Sequence, residues 1–72
     1  MKQLLQLLEV VALAVDRPDD GIVRGQVGTL VEALTDGWWE VEFSDDDGKT
    51  YALLALPAEQ LITLHHAPVR VG

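Results

Sequence analysis

Three consecutive aspartates followed by a glycine, Asp45-Asp46-Asp47-Gly48, are the densest group of possible ligands in the chain. A carboxylate calcium loop needs acids at alternate positions, a glycine at the sixth and a bidentate glutamate at the twelfth. Here the glycine comes fourth, and the twelfth residue counted from Asp45 is Leu56. The spacing therefore reads as a solvated hairpin tip. His65-His66 offers imidazoles to a transition metal, but two adjacent histidines near a terminus lack the three or four convergent ligands a site requires. Neither feature is read as a metal site, and no cofactor is expected.

Nucleophilic catalysis would have to use Ser44 or one of Thr29, Thr35, Thr50 and Thr63, since the chain has no cysteine. No histidine falls in an expected core element where it could act as their base. Carboxylates are plentiful, but general acid–base work needs one of them partly buried in a cleft, and a 72-residue chain has little interior to spare. Gly21, Gly25 and Gly28 precede a strand rather than a helix N-terminus, so they do not form a phosphate loop. The reading is non-enzymatic.

Charge narrows the partner. Twelve acids against five bases give a formal net charge of −7. Between Gly25 and Gly48 there is no Lys or Arg, while Glu32, Asp36, Glu40, Glu42, Asp45, Asp46 and Asp47 all fall in that window. Such a surface repels phosphate, which excludes nucleic acid as the expected partner. No apolar run reaches the roughly 18–20 residues of a membrane span, and the start Met1-Lys2-Gln3 is unlike a secretory signal. A soluble, cytoplasmic protein is expected, with one domain over residues 1–64 and a tail over 65–72.

The elements that must position these acids are mostly short strands. Lys2 to Glu9 is rich in Leu and Gln and predicts a short helical segment capping one end of the domain. Val10 to Val15 and Val27 to Leu34 read as strands, separated by the turn-forming run Asp16-Arg17-Pro18-Asp19-Asp20-Gly21. Gly28, inside the second strand, suggests a bulge or sharp bend there. Thr35-Asp36-Gly37 makes a tight hairpin. In Trp38-Trp39-Glu40-Val41-Glu42-Phe43 the alternation sends Trp39, Val41 and Phe43 to the core and Trp38, Glu40 and Glu42 to the opposite face. Thr50 to Leu56 is apolar on both faces, which suits a central strand, one covered by the N-terminal cap, or an interface. Pro57 ends it, Pro57 to Gln60 makes one helical turn, and Leu61 to Leu64 is the last strand. The fold class is all-β: a small, bent five-stranded barrel with a one-turn helix before its last strand.

Several stretches resemble a known bacterial family. Leu8-Glu9-Val10-Val11-Ala12-Leu13, Arg24-Gly25-Gln26-Val27-Gly28-Thr29-Leu30-Val31-Glu32, and Tyr51-Ala52-Leu53-Leu54 ahead of Gln60-Leu61 look like the family called domain of unknown function 4926. The most specific part is Glu40-Val41-Glu42-Phe43-Ser44-Asp45-Asp46-Asp47-Gly48-Lys49-Thr50-Tyr51-Ala52, and the likeness spans residues 7 to 64. Trp38-Trp39 is bulkier than the pattern at that point. The resemblance implies an SH3-like barrel and an antitoxin or immunity role, and it supplies no catalytic residues.

The expectation is a protein-binding module. Trp38, Glu40 and Glu42, with Asp36 at the rim and Asp45, Asp46 and Asp47 at the tip, would meet a basic, toxin-like partner. The alternative is a self-associating structural barrel, a homodimer or higher oligomer, that uses Tyr51 to Leu56 or the leucines Leu4, Leu5, Leu7 and Leu8.

Overall fold

A computed structural model describes residues 5–65 of the chain. Five antiparallel strands form one sheet: β1 (Val10–Leu13), β2 (Val27–Ala33), β3 (Trp38–Ser44), β4 (Thr50–Pro57) and β5 (Leu61–Thr63). Their order is β4-β3-β2-β1-β5, so β1 to β4 run as a meander and β5 returns to pair with β1. The mainly β class read from the sequence is the class the chain adopts.

Alternation builds the core. Val11 and Leu13 of β1, Leu30 of β2, Val41 and Phe43 of β3, Leu56 of β4 and Leu61 of β5 all turn to one face and are buried. Ile22, from the loop after β1, closes over them, and Trp39, Ala52 and Leu54 pack against the cluster half-buried. Pairing keeps these residues in rows. Val41 lies opposite Leu30 on one side and Leu54 on the other, and Trp39 lies opposite Ala33 and Leu56.

Gly28 sits opposite Val11, on the core side of the sheet. A Cβ placed there would lie 2.7 Å from Val41 Cγ1, 3.0 Å from the Glu42 carbonyl oxygen and 3.1 Å from Phe43 Cδ2. Only a residue without a side chain lets β3 approach this closely. The bulge expected at Gly28 lies instead between Leu30 and Glu32, where Val31 is the extra residue. Leu30, two residues on from Gly28, faces inward by simple alternation, and the extra residue Val31 is half-buried. The Asp36-Gly37 hairpin forms as expected, with φ of 59° and 78° at its two central residues. Positive φ at both is what the right-handed twist of the flanking strands demands.

Two expectations are corrected and a third is narrowed. Residues 5–9 form no helix; Leu7 and Leu8 make a turn, with Leu8 at φ 67° and its N–H donated to the Leu30 carbonyl at 2.6 Å. The backbone of this stretch is thus tied to β2, which a helix would forbid. The first strand ends at Leu13 rather than Val15; just beyond it the Ala14 N–H makes a last in-register bond, to the Gln60 carbonyl of the turn before β5, at 2.8 Å. Of the three placements open to the two-faced strand Thr50 to Leu56, the central one is ruled out, since β4 is an edge strand. The one-turn helix before the last strand is a 3-10 turn over Ala58–Gln60, and a second such turn occupies Pro18–Asp20. Lys2 to Leu4, His66 and the rest of the expected tail lie outside the described residues. No helix among the described residues is long and apolar enough to cross a membrane.

Candidate functional site

The face of β3 away from the core carries Trp38, Glu40 and Glu42 at alternate positions, as the sequence pattern requires. Trp38 is 42% exposed although it stands in a strand and lies opposite Pro57 of β4. Glu40 faces Glu32 on β2 and Ala55 on β4; Glu42 faces Thr29 and Leu53. Glu32 and Glu40 are therefore like charges directly opposite one another, an arrangement that destabilises an isolated sheet. Their carboxylates have no cation beside them: among the described residues the one ion pair is Arg17–Asp20, in the loop after β1.

Three side-chain hydrogen bonds fix two of the acids, Glu42 and Asp45. Thr50 donates its hydroxyl to Glu42 Oε2 at 2.7 Å, so this carboxylate is held over β4. Asp45 Oδ1 accepts the backbone N–H groups of Asp47 and Lys49, both at 2.9 Å, and the Asp45 N–H is donated to the Lys49 carbonyl. Asp45 therefore builds the β3–β4 turn. Asp46 and Asp47 are exposed on that turn, and neither carboxylate has a hydrogen-bond partner among the described residues. Asp36 is exposed in the hairpin at the opposite end of β3, one residue beyond Gly37 from Trp38. The seven residues singled out from the sequence thus divide into a central row of Trp38, Glu40 and Glu42 and two turns at either end of the same strand. Among the described residues no three His, Asp or Glu side chains converge as metal ligands would.

The sequence profile of the family described as domain of unknown function (DUF4926) matches residues 7–63. The chain belongs to that family. No curated protein and no solved structure matches it. The matched span of this DUF4926 chain runs from the Leu7–Leu8 turn to the end of β5, so it takes in the whole sheet and both hairpins.

Sequence reasoning missed the supports of this face. Gln26 donates Nε2–H to the Tyr51 hydroxyl at 2.9 Å, across the end of β3, while its Oε1 accepts the Val23 N–H at 2.6 Å. Tyr51 is the extra residue of a second bulge, on β4 between the pairs Phe43–Ala52 and Ser44–Thr50. Its ring stands 6.4 Å from that of Phe43, centroid to centroid, which anchors the distal hairpin to the core. A lone glutamine beside glycines carries no pattern that would have announced this role.

Proposed function

We propose that this DUF4926 protein is a non-enzymatic binding module whose β3 face captures a basic protein, and that it serves as an antitoxin or immunity protein in a bacterial cytoplasm. The observation that carries the reading is Trp38, left 42% exposed in a strand where Glu40 and Glu42 share its face. A tryptophan in such a position supplies a large apolar contact at little entropic cost, and flanking carboxylates steer a cationic surface toward it. The absence of Lys and Arg from Gly25 to Gly48 keeps the whole face of one sign. A toxin that acts on nucleic acid must display positive charge, and an acidic strand with acidic turns at both ends would occupy that charge. The strand order, with β5 returning to β1, supports an SH3-like description of the scaffold.

Co-expression with the product of the adjacent gene, followed by pull-down and growth assay, tests this. A complex that rescues growth, and that dissociates as salt is raised, is the expected outcome. No complex and no rescue would end the reading.

A further inference from the structure

We propose that the β4 edge is a self-pairing surface, and that a second copy of this chain docks on it antiparallel, extending the sheet across a two-fold axis near Leu53 and Leu54. Strand β4 pairs only with β3 among the described residues, so one side of its ladder is free. Free edges are ordinarily blunted by a charge or an internal proline. In β4 no residue from Thr50 to Leu56 is charged, and Pro57 stands at its very end. Its face away from the core presents Leu53, 52% exposed, with Ala55 between it and the buried Pro57. The bulge at Tyr51 twists one end of the strand, which leaves Ala52 to Leu56 as the straight segment open to pairing.

Charge selects a second copy, and selects the antiparallel sense. Two chains of net charge −7 repel except where neither presents acids, and β4 is the long neutral strip on an acidic molecule. Lys49 immediately precedes β4 and Glu59 follows it in the turn Ala58–Gln60. Neither takes part in an ion pair among the described residues. Eight residues of strand, at about 3.3 Å each, place the two charges roughly 26 Å apart, too far to meet within one copy. Antiparallel pairing about the centre of β4 brings Lys49 of each copy level with Glu59 of the other. Parallel pairing would set like charges together. Glu42 sits one strand in from the edge, so the two Glu42 backbones would be about 14 Å apart, and the Thr50 bond draws each carboxylate along β4 toward its start, away from the two-fold axis. A single strand edge buries less than the ~800 Å² per partner of a standard interface, which places the dimer in the weak class. The β3 face remains open on both copies.

Sedimentation equilibrium from micromolar to millimolar protein, with circular dichroism as the check on folding, tests the proposal. The expected result is a concentration-dependent dimer that Leu53→Lys abolishes. Lys49→Glu and Glu59→Lys should each weaken it about fivefold, the range open to two exposed ion pairs, and the double swap should restore it. A monomer at millimolar concentration would overturn the proposal. So would a dimer indifferent to Leu53→Lys but broken by Ile62→Lys on β5, or a double swap no tighter than the single changes.

Discussion

Thr50 reaches back from β4 to donate its hydroxyl to Glu42 Oε2 at 2.7 Å. The bond gives one acid of the β3 face a fixed position while Glu40, opposite Glu32, has no such tether among the described residues. Replacing Thr50 by Val keeps the β-branched shape and removes the donor. Stability should fall by no more than about 1 kcal/mol, because the bond is exposed. Affinity for a basic partner should fall while its dependence on salt is unchanged, since no charge is lost. Isothermal titration at two ionic strengths separates the two effects.

Trp38 supplies the sharpest contrast between folding and binding. Trp38→Ala should cost about 1 kcal/mol of stability, as the residue is already 42% exposed, whereas a fully buried aromatic such as Phe43 should cost about 3–5 kcal/mol. Binding of the basic partner should weaken at least about thirtyfold, the effect of losing an interface residue worth about 2 kcal/mol. Equal losses in stability and binding would mean that the indole works mainly as packing.

How far the sequence reveals this arrangement depends on what each residue answers to. Alternation over Trp38 to Phe43 fixes the inward and outward sets because a strand has only two faces, and the structure follows it residue by residue. Asp36-Gly37 is equally legible, since two positive φ values in succession leave few sequences free to form the turn. The register beyond Leu30 is not legible. Val31 is the extra residue of a bulge, and nothing local in Leu30-Val31-Glu32 distinguishes the residue that yields. The N-terminal leucines mislead for a related reason. Their helix propensity is real, but it is weaker than the tertiary hydrogen bond from Leu8 to Leu30.

That bond leaves Leu8 at φ 67°, with its side chain 70% exposed. A left-handed conformation costs an L-residue roughly 1–2 kcal/mol, and the exposed side chain returns little of it. Asparagine tolerates this region. Leu8→Asn should therefore stabilise the fold by about 0.5–1 kcal/mol, a rise in Tm of a few degrees by calorimetry. A fall in Tm would show that the Leu8 side chain contributes more to the fold than its exposure suggests.

Gly28 makes the opposite case. Gly28→Ala should destabilise by about 1–3 kcal/mol, as its Cβ would overlap Val41 Cγ1 and press on the Glu42 carbonyl. Val41→Ala removes the first clash and not the second. The double variant should consequently be more stable than the sum of the single losses predicts, by about 0.5–1 kcal/mol in a denaturant cycle. Strict additivity would mean that the backbone contact with Glu42 alone sets the limit.

Asp45, Asp46 and Asp47 are identical in type but do different work, and substitution should separate them. Asp45 Oδ1 accepts two backbone N–H groups, so Asp45→Ala leaves two turn donors to water and should cost about 1 kcal/mol, comparable to losing a helix cap. Asp46→Ala and Asp47→Ala should be neutral to within about 0.5 kcal/mol, since no side-chain bond is lost. Toward a basic partner the order should reverse. Asp46→Ala and Asp47→Ala should each slow association, by removing an exposed charge from the end of the acidic strand. Asp45→Ala should act chiefly by loosening the turn that displays those two charges. Urea unfolding and stopped-flow association, run on all three variants, distinguish the charge that builds the turn from the two that face outward.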